Sequence, residues 1–119
     1  MLGGFALPGL SGIADYLWLG RIPRMMGGDM PIYVSYGGRF TFTREQVLRI
    51  AAAIREPFGS MPAAIPSPGG GGTDPRLSEL VDLYGNDTMF LVGGDMFRRG
   101  PNLEDTMKYF VNRLESLQK

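Results

Sequence analysis

The feature that most constrains this sequence is a threefold repetition of a short apolar run, a glycine cluster and a helix-like segment. Each run is too short for a helix and is apolar on both alternate faces, which is typical of buried parallel strands. The runs are residues 30–35, 63–66 and 88–92, followed by glycines at 37–38, 69–72 and 93–94. This order is that of consecutive βα units, so the sequence predicts an α/β fold.

The helical segments carry recognisable start signals. Thr43 with Gln46 three residues later forms a capping-box pattern before a one-sided apolar stretch, which predicts a helix over residues 44–55. The pair Asp74-Pro75 and the residue Asn102 open two further amphipathic segments. A fourth helix is predicted over residues 13–26, weakened or kinked by an internal glycine and proline.

The composition excludes several classes of function. The chain of 119 residues has no Cys and no His, so it contains no thiolate nucleophile and no nucleophile–His dyad. Twelve Lys and Arg balance twelve Asp and Glu, so no long-range field favours nucleic acid or a membrane surface as a partner. The apolar start lacks the basic residues and the length of a signal peptide or membrane helix, which predicts a cytoplasmic protein.

The glycine clusters are the candidate site. In a parallel sheet, the loops after the strands emerge at the same carboxyl edge. Glycine lets backbone N–H groups approach an anion closely, and the start of a helix adds partial positive charge. A single glycine pair is better explained as a short turn, but three converging clusters favour a phosphate site.

Five motifs occur in an order and spacing that resemble the C-terminal part of RuBisCO-like proteins. The similarity covers nearly the whole chain and is closest to the form IV branch, which includes enzymes of the diketo-methylthiopentyl-phosphate enolase type. The motifs are Gly27-Gly28-Asp29 and residues 35–40, 44–57, 66–71 and 90–95.

The resemblance implies a partial barrel. Residues 1–119 would be the C-terminal portion of a RuBisCO large-chain-like domain, supplying the last three βα units of a TIM (β/α)₈ barrel. In the intact family, the resemblance implies Mg²⁺-dependent enolisation of a phosphorylated sugar-like substrate, by enzymes that include isomerases, lyases and carboxylases.

The resemblance also implies two sets of binding residues. Backbone amides in the loops after the last two strands would hold a substrate phosphate, and the loop after the preceding strand would close over the substrate. The phosphate set is Gly70, Gly71, Gly93 and Gly94. The set over the substrate is Ser35, Gly37, Gly38 and Arg39. True carboxylases carry a lysine in that loop, so Arg39 makes carboxylation doubtful.

No catalytic residue and no metal ligand can be transferred onto this chain. The family's Mg²⁺ ligands, a carbamylated lysine with two carboxylates, come from an earlier strand that this sequence does not contain. Asp95 is a weak candidate ligand, and capping or loop solvation is the favoured role. Arg98 and Arg99 could pair with a phosphate, although an ion pair or a solvated loop is favoured. We therefore expect the isolated chain to be inactive.

The alternative is a non-catalytic scaffold or self-associating module whose glycine loops are purely structural. In either case, three parallel strands leave open edges and exposed apolar faces, which favour association. The sequence thus predicts a homo-oligomer or completion by the missing portion of the barrel.

Overall fold

A computed structural model describes residues 14–37, 42–70 and 72–118. Over these ranges the chain forms a two-stranded parallel sheet, five α-helices and one π-helical turn, Leu17–Arg21. The strands are β1 (Ile32–Val34) and β2 (Ser67–Gly69). The helices are α1 (Ile22–Met25), α2 (Arg44–Arg55), α3 (Asp74–Tyr84), α4 (Gly93–Arg99) and α5 (Leu103–Leu117). In the described ranges, no helix is both long and apolar enough to cross a membrane.

The two strands pair in parallel with Ile32 opposite Ser67 and Val34 opposite Gly69. The Ser35 N–H donates to the Gly69 carbonyl at 2.9 Å, and the Ser67 N–H donates to the Pro31 carbonyl at 3.2 Å. The prediction of strands at 30–35 and 63–66 was therefore too long for the first and too early for the second.

The predicted third strand over residues 88–92 does not form. This segment runs beside β2 and is joined to it by a backbone hydrogen bond, in which the Met89 N–H donates to the Pro66 carbonyl at 3.0 Å. Ser67 and Gly69 direct their backbone groups toward β1, so Pro66 and Pro68 occupy the positions that face this segment. Proline has no N–H to donate. The two prolines therefore prevent a continuous ladder.

The helices follow their start signals closely. At α2 the Gln46 N–H donates to Thr43 Oγ1 at 3.2 Å, and the Thr43 N–H donates to Gln46 Oε1 at 2.8 Å, which confirms the capping box. Asn102 Oδ1 accepts from two N–H groups at the start of α5. At α3 the N-cap is Thr73 rather than Asp74, which lies inside the first turn.

Two helical regions depart from the sequence-based prediction. The helix predicted over residues 13–26 includes the π-helical turn, Leu17–Arg21. Gly20 lies in this turn and packs closely on α2, since a Cβ at Gly20 would lie 2.8 Å from the Ala53 Cβ. Gly93 and Gly94 were predicted to form a loop, but they open the short helix α4.

The sheet is covered on one side by helices. Tyr33 of β1 is 2% exposed and packs with Ile50 and Ile54 of α2 and with Tyr84 of α3. The opposite side carries Ile32, Ile65 and Gly69, together with the fully buried Ser67, and we call it the bare face. Ile32 is 63% exposed and Ile65 is 42% exposed there. The adjacent residues Ile32 and Tyr33 of β1 thus lie in very different surroundings.

Candidate functional site

A groove of about 300 Å³ lies at the carboxyl end of β2. Two segments form its walls, the one that follows β2 and the one that leads into α4. We call it the glycine groove because glycines supply most of its lining. The lining residues are Gly69, Gly70, Gly72, Thr73, Leu91, Gly93, Gly94, Asp95 and Arg98.

The structure therefore brings together three of the four glycines predicted to bind phosphate, Gly70, Gly93 and Gly94. The fourth, Gly71, lies outside the described residues. Gly70 has a φ of +86°, a backbone conformation that side-chain-bearing residues rarely adopt. No bound phosphate tests the assignment, so phosphate binding at these residues stays a prediction.

Gly72 lies where the two walls of the groove approach most closely in backbone terms, although nothing in the sequence singled it out within its cluster. A Cβ at Gly72 would overlap the Leu91 carbonyl oxygen and would lie 3.6 Å from the Val92 Cα. Only glycine permits two backbone segments to approach so closely. The absence of a side chain at Gly72 therefore allows the two walls of the groove to lie this close together.

An ion-pair network fixes α4 beside the groove. Asp95 Oδ2 accepts from the Asp74 N–H at 3.2 Å and from Arg99 Nε at 3.3 Å. Arg99 also pairs with Asp74 at 3.1 Å, and Arg113 of α5 pairs with Asp74 at 3.3 Å. A hydrogen bond from Tyr109, supported by these two arginines against the opposing effect of desolvation, lowers the pKa of the Asp74 carboxyl. The network joins α3, α4 and α5.

These contacts decide between the two roles considered for Asp95 and Arg99. Asp95 caps the first turn of α3, and Arg99 is engaged in ion pairs. Arg98 is more exposed, at 71% of its side chain, and lines the groove, with Nε 3.2 Å from the Gly94 carbonyl oxygen and 4.0 Å from Asp95 Oδ1. Arg98 thus brings a positive charge to the lining of the glycine groove.

The described residues do not fit a magnesium site. Among them, no group of three acidic side chains converges as a set of metal ligands. Asp95, which lines the groove, already accepts from Arg99 and from the Asp74 N–H, and the neighbouring Asp74 carboxylate is ion-paired with Arg99 and Arg113. Mg²⁺ needs oxygen ligands that are free to complete an octahedron.

The residues predicted to lie over the substrate are only partly described. Ser35 is fully buried, and its hydroxyl lies 3.1 Å from the Tyr84 hydroxyl on the helix side of the sheet. Its side chain is therefore part of the core. Gly37 lies in an exposed turn with a φ of +71°. Gly38 and Arg39 lie outside the described residues.

Comparison with known proteins places this fold among the α/β proteins related to RuBisCO. A solved Rubisco-like protein from Rhodopseudomonas palustris superposes with a TM-score of 0.78 at 36% identity, over 96% of this chain and 30% of that one. No family model matches the sequence.

Curated relatives agree with the structural match. "Ribulose bisphosphate carboxylase-like protein 1" of Rhodopseudomonas palustris is 35% identical over 93% of this chain. "5-methylthioribulose-1-phosphate isomerase" of Rhodospirillum rubrum is 34% identical over 90% of it. "2,3-diketo-5-methylthiopentyl-1-phosphate enolase" of Geobacillus kaustophilus is 32% identical over 70% of it.

The chain is a homologue of the RuBisCO-like proteins, which confirms the resemblance identified in the sequence. It spans 30%, 29% and 20% of the lengths of these three relatives. The role of Gly72 in the groove was not predicted, because it depends on a contact with Leu91, a distant part of the chain.

Proposed function

We propose that this chain is a segment of a RuBisCO-like enzyme that acts on a phosphorylated sugar-like substrate, and that its own contribution is to bind the substrate phosphate. The observation that carries the proposal is the glycine groove, where Gly70, Gly93 and Gly94 line one cavity beside the exposed guanidinium of Arg98. Backbone N–H groups and an arginine are favourable partners for a phosphate.

The substrate class is supported by the relatives. Two of them are named for phosphorylated compounds, one as an isomerase and one as an enolase. Enolisation next to a carbonyl group is a reaction that both names accommodate. We therefore propose a phosphorylated sugar-like substrate and isomerase-type or enolase-type (lyase) chemistry for the complete protein.

The partial barrel belongs to the same proposal. The bare face exposes Ile32 and Ile65, and beneath it the fully buried Ser67 hydroxyl has no hydrogen-bond partner among the described residues. A buried hydroxyl without a partner is unfavourable, and a contiguous apolar face favours contact with another surface. Further strands of a (β/α)₈ barrel would cover both features, so we propose that the rest of the barrel is the natural partner of this chain.

The metal and the proton-transfer groups would then come from that remaining portion. Mg²⁺ would supply charge stabilisation of an enolate in the complete enzyme, but no described residue here is arranged to hold it. We propose that the 119-residue chain alone turns over no substrate. We also propose a cytoplasmic location, because the chain has no Cys and needs no oxidising compartment for disulfides.

Titration of the chain with inorganic phosphate, followed by backbone amide NMR shifts, tests the proposal. We expect shifts at Gly70, Gly93 and Gly94 with a Kd of about 1 mM, equivalent to about −4 kcal/mol. Arg98→Gln should weaken binding about fivefold, because it removes a cation that faces the ligand.

Arg49→Gln is the matched control. Like Arg98, Arg49 is an exposed arginine paired with an acidic residue of its own helix, but it lies on α2 away from the glycine groove. Phosphate shifts confined to other residues, or equal losses in the two variants, would show that the groove is not the phosphate site.

The second candidate is a self-associating module with structural glycines, which the bare face also favours. Phosphate binding separates the two, since a purely structural groove predicts no specific shifts. Magnesium-dependent turnover of a phosphorylated ketose by the purified chain would contradict the expected lack of activity.

A further inference from the structure

The side chain of Arg76, in the first turn of α3, lies over the turn that follows β1. Its Nη2 donates to the Tyr36 carbonyl oxygen at 3.1 Å, and its guanidinium carbon lies 5.1 Å from the centre of the Tyr36 ring. The Arg76 side chain is 23% exposed. A hydrogen bond and a cation–π contact thus act on the same residue of the turn.

Gly37 completes this contact. A Cβ at Gly37 would lie 3.0 Å from Arg76 Nη2 and 3.3 Å from Arg76 Cζ, closer than side-chain atoms normally approach. Its φ of +71° is also a conformation that glycine adopts readily. The turn therefore offers the guanidinium both a hydrogen-bond acceptor, at Tyr36, and space, at Gly37, that a side chain would otherwise occupy.

The contact is also adjacent to the glycine groove. Val34, which ends β1, pairs with Gly69, and Gly69 lines the groove. On the other side, the Arg76 N–H donates to the carbonyl of Thr73, another lining residue, at 2.9 Å. Arg76 itself is not among the lining residues. It connects the turn to the groove without facing the ligand.

We propose that Arg76 is a positioning residue that holds the Tyr36–Gly37 turn against the start of α3, so that phosphate in the glycine groove and the turn influence each other. The coupling to a ligand rests on the proposed function, whereas the hold on the turn does not. In the complete protein, this residue would set where the loop after β1 begins.

Chymotrypsin cleavage after Tyr36 tests the hold on the turn without any ligand. We compare the unmodified chain, Arg76→Met and the control Arg49→Met, which removes an exposed arginine of α2. We expect Arg76→Met to raise the cleavage rate about fivefold relative to cleavage after the buried Tyr84, because the hydrogen bond and cation–π contact are lost. Arg49→Met should leave the ratio unchanged. An unchanged ratio in Arg76→Met, or an equal rise at both tyrosines, would overturn the proposal.

The phosphate titration tests the coupling. In the unmodified chain we expect phosphate to shift the amides of Gly37 and Tyr36 as well as those of the groove, and in Arg76→Met we expect the groove shifts alone. Turn shifts that persist in Arg76→Met would refute the positioning role while leaving the groove intact. Absence of groove shifts in the unmodified chain would instead refute the proposed function, and the cleavage ratio would still decide whether Arg76 holds the turn.

Discussion

The two faces of the sheet are built from similar residues but have different surroundings. On the covered face, Tyr33 contacts α2 and α3 and is 2% exposed. On the bare face, its sequence neighbour Ile32 is 63% exposed. Both positions are apolar, as expected for a strand buried on both sides. The exposed apolar side chains of the bare face are therefore available for contact with another protein surface.

The covered face also contains polar groups that are matched to one another. The Ser35 hydroxyl lies 3.1 Å from the Tyr84 hydroxyl, and the rings of Tyr84 and Tyr33 meet edge to face with centroids 6.3 Å apart. On the other face, Ser67 is equally buried but has no partner for its hydroxyl among the described residues. The Tyr33 hydroxyl on the covered face is likewise buried without a hydrogen-bond partner among the described residues, so the two faces differ in packing rather than in hydrogen bonding.

The largest expected effect is on stability. Ile50→Ala, beneath the covered face, should lower the free energy of unfolding by about 3 kcal/mol, because it leaves a cavity in a fully packed region. Ile32→Ala, on the bare face, should lower it by less than about 0.5 kcal/mol. Urea unfolding at low protein concentration measures both. Equal losses would mean that the two faces are equally covered in solution.

An intermediate effect is expected on association. The chain should self-associate through the bare face, and Ile32→Lys should weaken this association about tenfold, or about 1.4 kcal/mol, because a charge would have to be buried there. Leu48→Lys on α2 is the control, since Leu48 is an exposed apolar residue of a helix. Sedimentation velocity measures the change. A single well-folded 13 kDa species in the unmodified chain would show that the bare face needs no cover.

The smallest effect concerns pH and the covered face. Burial, reinforced by neighbouring Tyr84, raises the pKa of Tyr33 above its usual range, and burial likewise raises the pKa of Tyr84. The folded chain therefore keeps protons that the unfolded chain releases above about pH 10. Stability should be complete below that pH and should fall as the pH rises further.

Tyr33→Phe should reduce this alkaline loss of stability by about 1 kcal/mol between pH 9 and pH 11, with part remaining from Tyr84. Ile32→Ala should leave the pH dependence unchanged. Urea midpoints across this range provide the measurement. An alkaline slope that is the same in Tyr33→Phe and the unmodified chain would show that Tyr33 is not protected from solvent.

The sequence predicted those parts of the fold that depend on local signals. The capping box at Thr43 fixed the start of α2, and Asn102 fixed the start of α5. The prediction of a third strand over residues 88–92 was wrong, because its pairing depends on N–H groups in the segment around β2, where Pro66 and Pro68 have none. Helix α4 was not predicted, because the two glycines at its start indicated a loop.

The same distinction between local signals and long-range contacts applies to the candidate site and its surroundings. The convergence of Gly70 with Gly93 and Gly94 followed from the order of strands and loops, since parallel units place their loops at one edge. Gly72 and Arg76 could not be predicted, because their roles depend on Leu91 and Tyr36, far away in the sequence. Contacts of this kind exist only after folding.

The prolines beside β2 give the sheet a direction of growth. A strand edge with regularly spaced N–H groups is a template for pairing with other chains, and proline removes that template. Pro66 and Pro68 block it on the β2 side, whereas Ile32 and Val34 of β1 carry N–H groups on the opposite edge. Within the sheet that the structure describes, edge-to-edge polymerisation, including the cross-β stacking of amyloid, is therefore favoured at β1 rather than at β2. Lysine or proline substitutions at that single edge would be the economical way to make this chain resistant to fibril formation.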